Sequence, residues 1–500
     1  MSDLFVDITL PNGKTYEQPI GLFINNEFVA SNSKQKISAL SPATAEEITQ
    51  FYGGDETDVD KAVKAARDSF EEVWSKTSAV DRGKLFYKLT ELIERDADII
   101  AAIDALDAGK PLESNAKGDV DQVAEITKYY AGYSDKIKGN YIQLNENKFA
   151  IEKQYPYGVT ALIVPWNYPI AMASWKLQGA LIAGNSVIIK PSEWSSLSLL
   201  YFAKLIKEAG FPPGVVNVVT GYGATGAAMA KHLDVDKIGF TGSTATGQIV
   251  QQLASSNLKA VSLECGGKSP CVVLEDANLD EAVKWSSLGI FYNSGQNCTA
   301  NSRILVEESV YDEFLTKFKS YALKNWTVGD PFDGKSTMGP LINQLQYDKV
   351  TGYIKQGAEV EKLSKLIGDE PVIQKKGYYV NPTIFTDVPE DSKLYKEEIF
   401  GPVAVITKFK GFEDGLKKAN NTIYGLGGSV FSKDIKRAHK FANGIRAGVV
   451  MINSSNDEDI RGAFGGFKMS GIGRELGLPG IETYTQTKTI YVNLEDDEAI

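Results

Sequence analysis

The spacing of apolar positions changes along the chain, and the changes divide it. Up to about residue 50 the apolar residues come in short runs, and "GLFINNEFVAS" predicts a hairpin. From Asp55 the period becomes helical: "ETDVDKAVKAARDSFEEVW" spaces Val59, Ala62, Val63, Ala66 and Phe70 along one helix face. A second helical stretch, "DRGKLFYKLTELIERDADIIAAIDALDAG", runs from Asp81 to about Asp107, with Gly109 and Pro111 as stop signals. A further helix is expected near Val120–Asp135. After it, "YIQLNENKFAIEKQYPYG" alternates polar and apolar residues as an extended hairpin. Nothing in it faces a single core, so it is expected to pair with something else.

A regular alternation follows. "GVTALIVP", "NSVIIKPS", "GVVNVVTG", "DKIGFTGS" and "LKAVSLECGG" read as strands. "ASWKLQGALIAG", "SSLSLLYFAKLIKEAG", "ATGAAMAKHL" and "TATGQIVQQLASS" read as the helices between them. Strands alternating with helices predict a parallel, doubly wound α/β sheet. Such sheets bind ligands beyond the carboxyl ends of their strands. That rule singles out Pro165–Asn167, Lys190–Glu193, Gly221–Gly226, Gly242–Ser243 and Glu264–Gly267. From about Pro270 a second α/β series begins, and it carries Cys298.

Composition narrows the chemistry. A chain of 500 residues suggests two or three domains. The net charge of −11, with no basic patch, argues against a nucleic-acid partner. No apolar run reaches the roughly 18 residues of a membrane helix. Three cysteines cannot form a disulfide framework and fit a reducing compartment. "MSDLFVDITLPNG" reads as neither signal nor transit peptide, and "NLEDDEAI" carries no ER or peroxisomal address, so the expected location is cytoplasmic. With two histidines, a Cys–His hydrolase and a metal centre are both poorly supplied.

Each candidate motif has a plain alternative. "GYGATG" (Gly221, Gly223, Gly226) fits a dinucleotide glycine pattern, but lacks the acidic residue expected about 20 positions on and reads better as a tight turn. In "FTGSTATG", Ser243 or Thr244 can cap a helix whose free N–H groups hold a phosphate. Lys190 and Glu193 can bind ribose hydroxyls, or form a surface pair. Glu264, ending an apolar strand, can act as a general base with a raised pKa, or be a strand-end charge. Cys298, among small polar residues beside Gly295, can be a nucleophile or an inert loop thiol.

Together "VPWNYP", "IIKPSEW", "FTGST", "LECGGKSP", "GQNC", "EEIFGPV" and "FGGFKMSGIGRELG", in this order, resemble the aldehyde dehydrogenase family over nearly the whole chain, most closely its fungal, tetrameric branch. The resemblance implies NAD(P)-dependent oxidation of an aldehyde to a carboxylic acid. Cys298 would be the nucleophile, Asn167 and the Cys298 N–H the oxyanion donors, and Glu264 the water-activating base. Lys190 and Glu193 would hold the adenosine ribose, Gly242 and Ser243 the pyrophosphate, and Glu398 and Phe400 the nicotinamide ribose. Trp166, Phe240 and Gly223 complete the cofactor candidates; no metal is implied. Lys176 and Glu475 match positions proposed for proton relay.

The implied architecture is a Rossmann-like NAD-binding domain (1–137 and 156–266), an α/β catalytic domain (267–480) and a small β oligomerisation element (138–155 and 481–500). It would assemble as a homotetramer or homodimer. Glu193 favours NAD over NADP, since a carboxylate repels a 2′-phosphate. Cys265 stands where leucine is usual, and packing is its expected role. Asp457, Glu458 and Asp459 precede Phe464. They are read as a solvated acidic loop, with small aliphatic aldehydes such as acetaldehyde as substrates. The alternative is an acidic tunnel mouth, aided by Tyr168 and Trp175, that selects an aminoaldehyde or betaine aldehyde. A thiol-dependent ester hydrolase would use Cys298 and Glu264 without the nucleotide residues.

Overall fold

The five apolar runs of the alternating series form five parallel strands: β1 (Val159–Ile163), β2 (Ser186–Lys190), β3 (Val216–Val218), β4 (Lys237–Thr241) and β5 (Ala260–Glu264). They come from a computed structural model that describes residues 4–370, 372 and 376–494. The ends of the two terminal stretches used for localisation, residues 1–3 and 495–500, lie outside the described residues. Helices α1 (Pro169–Ala183), α2 (Leu197–Ala209), α3 (Gly223–Lys231) and α4 (Thr244–Ala254) connect the strands.

The strand order is β5-β4-β1-β2-β3, so the winding reverses at β1. The crevice beyond the ends of β1 and β4 is therefore the topological switch point, where such sheets bind ligands. The Leu22–Ile24/Glu27–Val29 hairpin adds antiparallel to β3. Gly471–Ile472 adds antiparallel to β5. That last strand was invisible in the sequence, because two residues carry no period.

Every residue of α1 is buried, so no polar stripe marks a solvent face. Three of its buried side chains, Ser174, Lys176 and Gln178, are polar. Gln178 Nε2 donates to Thr127 Oγ1 at 2.8 Å, and Lys176 meets Glu475. The long helical stretch 81–107 is in fact two helices, Ala79–Arg95 and Ala97–Asp107. The chain leaves helical geometry at Asp96 (φ −102°, ψ 12°), whose carboxylate accepts from Arg95 and from the Tyr201 hydroxyl. The expected helix near 120–135 spans Lys117–Tyr133.

The second series forms a seven-stranded sheet. It includes β6 (Pro270–Val273) and β7 (Arg303–Glu307), paired in parallel. Helix α5 (Leu279–Phe291) leads from β6 toward the Cys298 loop. The alternating stretch near 140–156 does form a hairpin, Asn140–Gln143 with Lys148–Pro156. Its partner is in the same chain: Thr485–Asn493 pairs antiparallel with Lys148–Pro156 along its full length. Tyr141 and Tyr491 stand out from this small sheet, 61% and 74% exposed.

Leu181, on α1, is buried, whereas Leu233 is exposed. Leu181→Ala is expected to cost about 2–5 kcal/mol and lower the urea unfolding midpoint. Leu233→Ala is expected to leave that midpoint in place.

Candidate active site

The Cys298 loop is shaped by three consecutive left-handed residues, Asn293, Ser294 and Gly295, with φ of 52°, 56° and 70°. Such backbone is costly for non-glycine residues unless the surroundings fix it. Here they do. Ser294 Oγ donates to the Gly339 carbonyl at 2.8 Å, and Asn293 Nδ2 donates to the Asn167 carbonyl at 2.9 Å. Gln296 Oε1 accepts from the Ile342 N–H at 2.9 Å. Gly295 is needed for closeness as well as for φ, since a Cβ there would lie 2.1 Å from the Gly401 carbonyl oxygen.

Two cavities meet at this loop. One, of about 400 Å³, is lined by Cys298 with Tyr168, Met172, Trp175, Glu458 and Phe464 among others. The second, of about 190 Å³, lies at the switch point and includes Trp166, Asn167, Gly242, Ser243, Glu398 and Phe400. Cys298 lines both. Asn167 follows β1, and its Nδ2 donates to the Gln296 carbonyl at 2.9 Å. A primary amide carries two N–H groups, so a second remains for a ligand oxygen.

The switch-point cleft fits a nicotinamide nucleotide. Ser243 caps α4 by accepting from the Thr246 N–H at 3.2 Å, and the free first-turn N–H groups of a helix attract phosphate. Glu398 Oε1 accepts from the Gly267 N–H at 2.9 Å, which fixes a carboxylate acceptor in the cleft. A Cβ on Gly266 would lie 2.3 Å from that carboxylate. Phe400 has φ 61°, a strained value for a bulky residue. Gln346 Nε2 holds its carbonyl at 2.6 Å, and its ring meets Trp166 edge-on at 5.3 Å. Gln346 and Lys349 also line the cleft. Sequence reasoning misses both, because they lie on a separate helix, Gln344–Lys355, with no motif around them.

Other candidates fall elsewhere. Lys190 and Glu193 sit together beyond β2, 3.6 Å apart, and line neither cavity. Phe240 is buried in the core beneath Gly242, where a Cβ would lie 2.5 Å from its ring. Its ring thus supports a glycine that lines the cleft. Gly223 opens α3, and a Cβ added there would meet nothing within 4 Å. Cys265 is buried in the same core cluster as Phe240 and edges the cleft, in keeping with packing.

The ionisable groups are dominated by desolvation. Burial pushes the Cys298 thiol up, and the carboxylates of Glu398, Glu458 and Glu264 add to the effect. Glu264 is buried with neither oxygen in a well-formed hydrogen bond, and it lines neither cavity. Its pKa is well above the usual carboxylate range, through burial first and Glu475 second; Lys176 and Arg474 oppose the shift. The acidic loop also differs from expectation. Asp459 is exposed and paired with Arg461, but Glu458 is half-buried in the larger cavity with Oε1 unpartnered. Burial pushes it up to about 7. Among the described residues there is no His/Cys/Asp/Glu group able to hold a metal ion, and no helix long and apolar enough to cross a membrane.

A cysteine shared by a nucleotide-shaped cleft and a separate cavity is the arrangement that the sequence resemblance implied. The family model "Aldehyde dehydrogenase family" matches residues 28–490. The chain belongs to the aldehyde dehydrogenase family. Aldehyde dehydrogenase [NAD(P)+] 1 of Saccharomyces cerevisiae is 58% identical, over 99% of this chain and 100% of that protein. The NAD+ complex of an aldehyde dehydrogenase from Bacillus cereus is 42% identical with a TM-score of 0.93, covering 95% of this chain and 97% of that one. Betaine aldehyde dehydrogenase from Staphylococcus aureus, also solved with NAD+, is 34% identical with a TM-score of 0.93, over 96% of each chain. The expected aldehyde dehydrogenase fold and activity, with NAD(P) as cofactor, therefore hold.

The raised thiol predicts slow alkylation of this aldehyde dehydrogenase without nucleotide. The rate constant for iodoacetamide at Cys298, followed by peptide mapping, is expected to rise about tenfold per pH unit from pH 7 to about 9 without a plateau. A plateau near neutrality would contradict the desolvated thiol.

Proposed function

We propose that this enzyme oxidises small aldehydes to carboxylic acids with NAD, and that it prefers those bearing an amino or ammonium group. The position of Cys298 between the two cavities carries the first part. Its sulfur, as the thiolate once the thiol proton has passed to solvent water, attacks the aldehyde carbon, and the resulting thiohemiacetal oxyanion is held by the free Asn167 amide N–H and the Cys298 N–H. Bound NAD would supply the hydride acceptor for this carbon, whose oxidation leaves a thioester on Cys298. Glu264 then takes a proton from a water, whose oxygen displaces the sulfur and releases the acid. To do so Glu264 must turn from the Lys176–Glu475 pair toward the thioester. Burial raises its pKa, which makes the ionised carboxylate a stronger base toward that water.

Nucleotide contacts follow the same reading. Gly242 and Ser243 meet the pyrophosphate, and Glu398 and Phe400 the nicotinamide ribose. Lys190 and Glu193, at the neighbouring strand end, take the adenosine ribose, and the Glu193 carboxylate favours NAD over NADP. The reading assigns 1–137 and 156–266 to nucleotide binding, 267–480 to thiol chemistry, and 138–155 with 481–500 to self-association as a homotetramer or homodimer. The exposed Tyr141 and Tyr491 support the last assignment. Three free thiols support a cytoplasmic, reducing setting.

The substrate preference rests on Glu458, a half-buried carboxylate with an unpartnered oxygen in the cavity that holds the thiol. An ammonium group on the substrate would supply the missing partner. Plain aliphatic aldehydes such as acetaldehyde are the second reading, favoured by the Met172, Leu288 and Phe464 walls of the same cavity.

Parallel assays of NAD reduction with acetaldehyde, a short aminoaldehyde and betaine aldehyde test the choice. Glu458→Gln is expected to lower kcat/KM for the cationic substrates about tenfold, some 1.4 kcal/mol, and to leave acetaldehyde nearly unchanged. Because Glu458 titrates at about 7, KM for the cationic substrates should rise as pH falls through that value, when the carboxylate becomes neutral. Equal effects on all three substrates would sink the preference. Glu264→Gln should keep the initial burst of NADH but lower steady turnover by about 10²–10⁴, the scale of general-base catalysis. Loss of the burst would remove Glu264 from the deacylation step.

A further inference from the structure

Lys110 is buried, 1% exposed, and sits beneath the Asn167–Tyr168 turn that follows β1. Its ammonium has three partners. Nζ donates to the Asn167 carbonyl at 2.8 Å, pairs with Asp119 Oδ2 at 2.9 Å, and lies 3.6 Å from the centre of the Tyr168 ring. Asp119 and Tyr168 both line the larger cavity with Cys298. A buried ammonium is expensive unless it is paired and hydrogen-bonded, so this one exerts strong directional pull on all three partners.

The Asn167 carbonyl that Lys110 holds also accepts from Asn293 Nδ2, on the Cys298 loop. Asn115 Nδ2 in turn donates to Asn293 Oδ1 at 3.2 Å. One carbonyl is thus clamped between the Lys110 ammonium and the nucleophile's own loop, while its side-chain amide faces the Gln296 carbonyl. Gly109 lets the chain reach this position: its φ is 73°, and a Cβ there would lie 2.8 Å from the Pro340 ring.

We propose that Lys110 is a positioning residue that fixes the Asn167 amide as oxyanion donor, and that fixes Tyr168 as a wall of the substrate cavity. This rests on Asn167 being that donor. Lys110 touches neither thiol nor cleft. Its effect should therefore reach the first chemical step only through Asn167, and should leave the nucleotide alone. Because the ammonium already occupies a face of Tyr168, that ring is a poor second site for a substrate cation, which leaves charge recognition to Glu458.

The test is a double-mutant cycle read on the pre-steady-state burst of NADH, with NAD affinity by fluorescence as the control for folding. Asn167→Ala is expected to slow the burst about 10²–10³-fold, the scale of a lost oxyanion donor. Lys110→Met should slow it roughly 10–100-fold, as a small misplacement of that donor would, with NAD affinity unchanged. The combined variant should be no slower than Asn167→Ala alone. Lys110→Met strands Asp119, so Lys110→Gln and Lys110→Met/Asp119→Asn are measured in the same cycle as variants gentler on folding. Multiplied losses in the cycle, or a parallel loss of NAD affinity in every Lys110 variant, would overturn the positioning role and leave Asn167 as donor. An unchanged burst in Asn167→Ala would overturn the oxyanion reading, and this inference with it.

Discussion

The site depends on backbone approaches closer than any side chain would allow. A Cβ on Gly267 would lie 2.3 Å from the Cys298 carbonyl oxygen, so the turn after β5 and the cysteine loop are in direct contact. Gly295 makes the second approach, against Gly401 in the segment that carries Glu398 and Phe400. These contacts bring the end of the first sheet, the nucleophile loop and the Glu398 segment to one point. A single methyl group at either glycine would push them apart. The two cavities would then no longer share a thiol.

Desolvation governs what those groups can do once together. Burial, with the carboxylates of Glu398, Glu458 and Glu264, raises the Cys298 thiol and favours its neutral form. Burial and Glu475 raise the Glu264 carboxyl, and Lys176, Arg474 and the Gly466 backbone N–H pull against this. Lys110 shows the opposite solution to burial. It is surrounded by a carboxylate, a carbonyl and an aromatic face, and so becomes a rigid fixture.

Much of this is legible along the chain. The alternation of apolar runs with helical stretches sets the five parallel strands, because β and α periods are local properties of a few consecutive residues. The rule that ligands collect beyond strand ends then points to Asn167, Gly242, Ser243 and Glu264 without any knowledge of how the strands are ordered. The motif around Cys298 marks the nucleophile, because its small polar neighbours and its glycine are consecutive residues.

Tertiary structure alone decided which of these residues face a cavity. Phe240 and Gly242 are two apart, yet the ring of one fills the core while the other, packed against that ring, lines the cleft. Glu458 sits between two exposed aspartates in sequence, but packing of the larger cavity removes it from water. Gln346, Lys349 and Lys110 belong to no motif. Their roles arise where distant segments cross: Lys110 and Asn167 are 57 residues apart, and Asn293 is 126 from Asn167. Sequence period determines elements and their order. Burial, and with it every shifted pKa in the site, depends on which elements cover one another, and only the folded chain fixes that.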